Sequence, residues 1–228
     1  MTSLTRRDAL MMAAGAAMVA GRARSADIWV EGRHYFKLES PRPAAKPGTV
    51  TVTEIFSYGC PGCNAFLPYM QSVEKQLPAQ VVVEYLHASW YASENWPVFQ
   101  RGYLTAKALG VSRKAHESMF AAIWKTGELA IFDAKTGRPK TPLPSIEDVA
   151  RFYQRVCAVP VAKFLATARS FSLDTEMRRS DALIQALRPD STPTLIINGR
   201  YRMDPPSAGS YSKAVELALW LVDKERRV

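Results

Sequence analysis

The stretch Phe56-Ser-Tyr-Gly-Cys60-Pro-Gly-Cys63 joins a pattern typical of a β-strand to one typical of an α-helix. Residues 48–58 are rich in β-branched and aromatic side chains, which predicts a strand. After Cys63, apolar residues recur at three- and four-residue spacing as far as Leu77, which predicts a helix. The two cysteines therefore lie where a strand ends and a helix begins.

This position favours thiol chemistry at Cys60 and Cys63. The first turn of a helix brings residues at this spacing within the roughly 4.4–6.8 Å between Cα atoms that a disulfide needs. The unpaired N–H groups and the positive dipole end there stabilise a thiolate, and Pro61 suits the first helical position. We therefore expect an exposed, acidic Cys60 that attacks and a shielded, protonated Cys63 that resolves.

Two other uses of the cysteine pair have weaker support. Structural zinc needs four ligands, usually from two such pairs, and the sequence has no second pair. A structural disulfide across so short a loop would stabilise the chain little. We predict a redox-active Cys60–Cys63 disulfide, no metal site and no cofactor. The candidates left over for a metal site are Cys157, His34, His87 and His116.

The rest of the chain alternates between strand and helix signals. Strand patterns cover residues 34–38, 80–87 and 194–198. Nearly everything over residues 93–188 has helical period. Asn198-Gly199 predicts a hairpin turn, and a final helix is predicted over residues 207–224. The order is strand–helix–strand, a helical block, then a hairpin and a helix.

The N-terminus indicates the compartment. Arg6-Arg7 stand before an uncharged apolar run, residues 9–21, which is too short to cross a hydrocarbon layer of about 30 Å. This order is typical of an export signal, and the paired arginines resemble the twin-arginine type. We predict that residues 1–25 are the signal and that the mature chain is periplasmic, where cysteine pairs can be oxidised.

Composition excludes several classes of protein. The chain has 228 residues, of which 47% are hydrophobic, and this suits a folded core without disulfide staples. The 30 Lys and Arg residues exceed the 21 Asp and Glu residues by a formal net charge of +9. The basic residues are scattered, with no run interleaved with aromatics, so nucleic-acid binding is not expected.

Two motifs and the helical block together carry a family resemblance. Phe56-Ser-Tyr-Gly-Cys60-Pro-Gly-Cys63, followed much later by Thr192-Pro193-Thr-Leu-Ile-Ile-Asn-Gly-Arg-Tyr, resembles the DsbA family of periplasmic thiol–disulfide oxidoreductases, in the thioredoxin superfamily. The resemblance implies an α/β fold: a thioredoxin fold, with a five-stranded sheet, that carries an inserted all-helical domain. The thioredoxin-like domain is expected over residues 26–92 and 189–228, and the helical domain over residues 93–188.

The resemblance also implies which residues are catalytic. Cys60 resembles the nucleophile, Cys63 the buried resolving cysteine, and Pro193 a cis-proline that faces the disulfide. Glu54 lies on the strand beneath them and would exchange a proton with Cys63; a solvated carboxylate at a strand edge fits it equally well. Glu84 lies roughly where the family often has a charged partner such as lysine.

Substrate would be bound around the same point. Thr192 would present its backbone to an extended peptide, next to Pro193, Pro61 and Gly62. The family usually has Pro-His between the cysteines, whereas this chain has Pro-Gly. This difference leaves the chemistry in place but puts the strength of the oxidant in question.

The function implied is that of a monomeric oxidase. It would donate the Cys60–Cys63 disulfide to exported reduced or unfolded proteins through a mixed disulfide on Cys60. A quinone-linked membrane protein of the DsbB type would reoxidise it. The alternatives are a reductase or isomerase of the same fold and, from a different class, a substrate-binding or folding-helper module with a structural disulfide.

Two further features have open interpretations. Cys157, on a predicted helix, is expected to be a buried inert thiol, with a regulatory or dimer-forming thiol as the alternative. An aromatic cluster at the start of the helical block fits either core packing or the wall of a substrate groove. Its members are Trp90, Tyr91, Trp96, Phe99 and Tyr103.

Overall fold

The computed structural model describes residues 29–41 and 49–227. The predicted export signal, residues 1–25, lies outside these residues. Within the described part, no helix combines the length and the apolar character that a membrane span requires.

A single five-stranded sheet organises the described residues. The strands are β1 (Phe36–Lys37), β2 (Val50–Phe56), β3 (Val81–His87), β4 (Thr194–Ile197) and β5 (Tyr201–Met203). Their order in the sheet is β1-β5-β4-β2-β3. The strand β2 pairs parallel with β3 and antiparallel with β4, so it is an internal strand. Asn198 and Gly199 have φ angles of 50° and 59°, which confirms the predicted hairpin turn between β4 and β5.

The helices fall into three groups along the chain. One helix follows β2, five helices stand between β3 and β4, and two follow β5. They are α1 (Pro61–Gln76), α2 (Trp96–Ala108), α3 (Ser112–Trp124), α4 (Ile146–Cys157), α5 (Val161–Ala168), α6 (Phe171–Leu187), α7 (Pro205–Ala208) and α8 (Tyr211–Arg226). The α/β fold with a helical insertion is confirmed, whereas the domain boundaries at residues 92 and 189 stay a prediction.

The predicted final helix, residues 207–224, is two helices in the structure. Gly209 has a φ of 95°, a left-handed conformation that ends α7 and that glycine adopts without steric cost. Ser210 then caps α8, because its side chain accepts a hydrogen bond from the N–H of Lys213 at 3.1 Å. The prediction of one continuous helix was wrong, since the apolar periodicity did not register this break.

Lys224 lies among three aromatic rings and connects the N-terminal segment with α8. The Lys224 Nζ lies 5.1 Å from the ring centroids of Tyr35 and Tyr201 and 5.0 Å from that of Trp220. It also donates a hydrogen bond to the Tyr35 hydroxyl at 3.0 Å. Cation–π contacts stabilise by about 0.5–1 kcal/mol each at exposed sites. The cluster therefore joins the segment before β1 to the last helix.

Replacing this lysine should destabilise the fold. We expect Lys224→Met to lower the free energy of unfolding by about 1–2 kcal/mol, because the cation–π contacts are lost while an unbranched apolar stem remains. Urea denaturation measures the change. The control is Lys213→Met, an exposed position on the same helix, which should stay within about 0.5 kcal/mol of the unsubstituted protein. Equal stability of the two variants would contradict the role of the cluster.

Candidate active site

The cysteine pair lies at the N-terminus of α1. Cys60 is the N-cap residue, and its Sγ accepts a hydrogen bond from the N–H of Cys63 at 3.4 Å. Pro61 occupies the first helical position, and the first turn of α1 contains no acidic side chain. The helix dipole and the free N–H groups therefore act on Cys60 without a competing carboxylate.

Cys60 is more enclosed than the sequence predicted, whereas Cys63 is as shielded as expected. Cys60 is 6% exposed and Cys63 is 1% exposed. The prediction of an exposed Cys60 was wrong, because the chain before β4 lies against it: the Cys60 thiol donates to the carbonyl oxygen of Thr192 with an Sγ···O distance of 3.4 Å. Both cysteines are free thiols, so the structure describes the dithiol form and the Cys60–Cys63 disulfide stays a prediction.

The two thiols differ strongly in acidity. A hydrogen bond from the Cys63 thiol is the largest cause that lowers the pKa of Cys60, to about 6. The side chain of Thr192 and the backbone N–H groups of Cys63 and Gly62 also lower this pKa, and burial opposes them. Burial raises the pKa of Cys63 well above its usual value. At neutral pH, Cys60 is therefore mostly a thiolate beside a protonated Cys63.

The loop before β4 forms the wall opposite the cysteines. The Thr192–Pro193 peptide bond is cis, as the family resemblance implied. Thr192 is half-buried and Pro193 is buried, whereas Pro61 is exposed and Gly62 is half-buried. The structure thus brings the four predicted substrate-binding residues to one side of Cys60, and their roles stay predictions.

Gly62 has room for a side chain. A Cβ built on it would lie 3.4 Å from the carbonyl oxygen of Thr192, 3.5 Å from Cδ of Pro193 and 3.6 Å from Sγ of Cys60. These are ordinary contact distances. A side chain at this position would therefore meet the reactive sulfur directly.

Glu54 lies on β2 and is 3% exposed. The alternative of a solvated carboxylate at a strand edge was wrong, because β2 runs between β3 and β4. Burial is the main cause that raises the pKa of Glu54 to about 8, and the charges of Glu74 and Cys60 add to it. The carboxyl group is mostly protonated at neutral pH, so it has a proton to give. Its exchange with Cys63 stays a prediction.

Tyr85, not Glu84, accompanies Glu54 in the sheet. Tyr85 is the residue paired with Glu54 in the parallel ladder between β2 and β3, and it is buried, whereas Glu84 is exposed. Successive residues of a strand point to opposite faces, so an error of one position exchanges the two. Tyr85 was not predicted from the sequence, because β3 (Val81–His87) has no regular polar alternation that would mark its inward face.

Two histidines without an assigned role hold the loop that leads to Cys60. The Nε2 of His87 accepts a hydrogen bond from the N–H of Tyr58 at 3.1 Å, and the Tyr58 hydroxyl lies 3.0 Å from Nδ1 of His116. Burial lowers their pKa values to about 3 and about 4, so both rings are neutral at pH 7. Trp124 also donates its indole N–H to the carbonyl oxygen of Tyr58 at 2.8 Å.

The aromatic cluster divides between core and surface. The rings of Trp96, Phe99 and Tyr103 are buried, which agrees with core packing, whereas Trp90 and Tyr91 are exposed. Trp96 contacts the active-site loop so closely that a Cβ on Gly59 would lie 2.7 Å from its ring.

Cys157 is half-buried, less enclosed than predicted. In the ranges 29–41 and 49–227, no group of three or more His, Cys, Asp or Glu side chains is arranged to hold a metal ion.

The lowered pKa of Cys60 predicts its reactivity. The alkylation rate of the reduced protein with iodoacetamide should rise through about pH 6 and level off above it, because the thiolate is the nucleophile. Cys63 should react only after unfolding. The variant Cys157→Ser removes the third thiol from the measurement, and mass spectrometry identifies the modified residue. A midpoint near the ordinary thiol value, or faster reaction at Cys63, would show that the two roles are wrongly assigned.

Known proteins resemble the chain over most of its length. The family model described as Thioredoxin matches residues 43–217. The thiol:disulfide interchange protein DsbA of Pseudomonas aeruginosa is 34% identical over 206 residues, which cover 90% of this chain and 90% of that protein. The protein of the same name from Azotobacter vinelandii is 31% identical and covers 88% of this chain and 86% of its own.

Solved structures agree with these relatives. The crystal structure of Pseudomonas aeruginosa DsbA has a TM-score of 0.73 at 34% identity and covers 89% of this chain and 97% of that chain. The crystal structure of the oxidoreductase DsbA from Xylella fastidiosa has a TM-score of 0.76 at 28% identity, with coverage of 88% and 99%. The chain therefore belongs to the DsbA family of thiol–disulfide oxidoreductases, in the thioredoxin superfamily.

Proposed function

We propose that the protein is a dithiol oxidase that donates a Cys60–Cys63 disulfide to the thiols of exported proteins. One observation carries the proposal: two free thiols lie within one helical turn, and their pKa values are displaced in opposite directions. A stabilised Cys60 thiolate lowers the free energy of the reduced form relative to the disulfide. The protein therefore gains a tendency to accept electrons, which is what an oxidase needs.

The reaction proceeds in two exchanges. A substrate thiolate attacks Sγ of Cys60, a bond forms between the two sulfurs, and the Cys60–Cys63 bond breaks. Cys63 leaves with the electron pair and takes a proton from the buried carboxyl of Glu54. A second substrate thiolate then attacks the substrate sulfur of the mixed disulfide and expels Cys60 as a thiolate. The substrate gains a disulfide, and the protein is left as the dithiol.

The residues around Cys60 bind the substrate. Thr192 offers its backbone to an extended peptide, and Pro193 closes the wall behind the reacting sulfur. Gly62, which lies against Thr192 and Pro193, and the exposed Pro61 complete this wall. These roles fit the half-buried position of Thr192 and the contact distances measured from Gly62.

The cellular setting is proposed from the sequence and the family. The protein works as a monomer in the periplasm after residues 1–25, a signal of the twin-arginine type, are removed. A quinone-linked membrane protein of the DsbB type removes two electrons and restores the disulfide. Residues 93–188 act as one helical domain inserted in a thioredoxin-like domain.

Trapping of the intermediate tests the proposed function. In a Cys157→Ser background, Cys63→Ser whose Cys60 is first activated as a mixed disulfide with thionitrobenzoate should exchange with a substrate protein that has a single thiol. That thiolate displaces thionitrobenzoate, and the new mixed disulfide on Cys60 should accumulate, because neither Cys63 nor a second substrate thiol is present to break it. Non-reducing electrophoresis and mass spectrometry measure it. The matched variant Cys60→Ser should form no adduct and should lose at least about 10³-fold in oxidation rate.

Two outcomes would contradict the proposal. Full activity of Cys60→Ser would indicate a binding or folding-helper module, because such a module does not use the thiol. Acid trapping of the protein in its host should find it oxidised at steady state, and a predominantly reduced protein would indicate a reductase or isomerase.

Gly62 should limit the strength of the oxidant. Histidine at this position would place a donor beside Sγ of Cys60, where a Cβ fits without displacement. A charge-assisted contact of about 1.5–3 kcal/mol corresponds to a rise in reduction potential on the order of 30–60 mV. We therefore expect Gly62→His to raise the potential and lower the pKa of Cys60 together, measured by equilibration with glutathione buffers and by thiolate absorbance.

The matched control for this variant is Gly62→Ala. It adds a Cβ and improves helix propensity without a polar group, so it should change the potential much less than histidine does. Equal potentials for the two variants would show that the donor is not the cause.

A further inference from the structure

A polar cluster connects the surroundings of Glu54 with solvent. A cavity of about 130 Å³ is lined by residues of α1, β3, α2 and α3, among them Glu74, Tyr85, Arg113 and His116. Tyr85 stands next to Glu54 in the sheet. The proposed reaction gives none of the residues of this cavity a role.

The contacts of the cluster form a continuous chain. The Tyr85 hydroxyl donates to Oε1 of Glu74 at 2.9 Å, and Nη1 of Arg113 lies 2.9 Å from the same oxygen. The Arg113 guanidinium lies over the Tyr85 ring, 5.5 Å from its centroid, and also donates to the carbonyl oxygen of Val83. Two partners on different elements therefore hold the Glu74 carboxylate in one place.

Burial increases towards Glu54 along this chain. The side chain of Arg113 is 60% exposed and that of Glu74 is 29% exposed, whereas Glu54 is nearly enclosed. Within the part of the chain that the structure describes, no side chain donates a hydrogen bond to the Glu54 carboxyl or forms an ion pair with it. An ionised Glu54 would be a buried charge without a partner, which is costly. The pKa of Glu54 is therefore sensitive to the nearest charged groups.

Few groups around Glu54 carry a charge at neutral pH. Burial keeps the tyrosines protonated and His116 neutral, β4 contributes Leu195, and Glu225 of α8 is bound by Asn198 and Arg200. Among the described residues of this region, the charged groups that remain are the Cys60 thiolate, Glu74, Arg113 and the exposed Glu117. The groups that face the region are Cys60 before α1, Cys63 and Glu74 from α1, Tyr85 from β3, Tyr103 from α2, and Arg113, His116 and Glu117 from α3.

We propose that Glu74 and Arg113 are positioning residues that adjust how strongly Glu54 holds its proton. The Glu74 carboxylate, held by Tyr85, adds to the effect of burial and strengthens the hold of Glu54 on its proton. Arg113, which reaches over from α3 of the helical block, neutralises part of the Glu74 charge and so weakens this effect. The catalytic consequence, though not the coupling itself, rests on the proposed role of Glu54 as proton donor to Cys63.

The coupling can be measured directly by NMR titration of the Glu54 carboxyl carbon in the reduced, full-length protein, with Glu54→Gln to assign the signal. Glu74→Gln keeps an acceptor for Tyr85 but removes the charge, and it should lower the titration midpoint by about half a pH unit or more. Arg113→Met should raise the midpoint. In the double variant, Arg113→Met should have no further effect, because Arg113 acts through Glu74.

The matched control is Glu117→Gln. Glu117 lines the same cavity from α3 and is exposed, but its partner is Gln71 and not Tyr85. This variant should leave the midpoint of Glu54 unchanged. An unchanged midpoint in Glu74→Gln, or equal shifts in Glu74→Gln and Glu117→Gln, would overturn the proposal.

A second readout separates the proposal from the proposed function. The rate at which the oxidised protein reacts with dithiothreitol should shift its pH profile with the same sign as the midpoint in each variant. If the midpoint shifts and the rate profile does not, the coupling stands and the role of Glu54 as proton donor is wrong. If neither shifts, the coupling is wrong whatever Glu54 does.

Discussion

The withdrawal of Glu54 and Cys63 from water determines the chemistry of the site. Glu54 is buried on the internal strand β2, and Cys63 is buried in the first turn of α1, so both groups have little contact with water. Charge is expensive in such surroundings, so both groups hold their protons at neutral pH. Cys60 lies at the N-terminus of α1, where N–H groups and the helix dipole stabilise a thiolate. It can therefore carry a negative charge at lower cost. The two thiols are chemically identical, and this difference in environment is what makes Cys60 acidic and keeps Cys63 protonated.

The helical block takes part in this arrangement, although all five strands lie outside it. His116 and Trp124 on α3 bind Tyr58, and Trp96 on α2 packs against Gly59. The three residues before Cys60 therefore rest largely on helices that the chain forms much later. A thioredoxin-like sheet alone would leave this loop with His87 of β3 but without its helical partners, and the N-terminus of α1 would be less well oriented towards its sulfur.

The positions of short motifs were predictable from the sequence. The contacts of side chains with strands and loops that are distant in sequence were not. The spacing of Cys60 and Cys63, the strand before them and the Asn198-Gly199 turn are properties of short segments, and the structure has them where they were expected. The enclosure of Cys60 depends on Thr192, which is distant in sequence, so no local pattern could show it. The same limit explains why the sequence indicated Glu84, and not Tyr85, as the residue of β3 near the site. Strand alternation settles the face only once the register with β2 is known.

The cluster around Lys224 joins parts of the chain that are far apart in sequence. Tyr35 and Lys224 are separated by 189 residues, and β1 has β5 as its partner in the sheet. During synthesis from the N-terminus, neither contact is available until nearly all of this sequence has emerged from the ribosome. The segment before β1 therefore remains undocked until β5 and α8 have been made, and the docking of α8 completes its contacts.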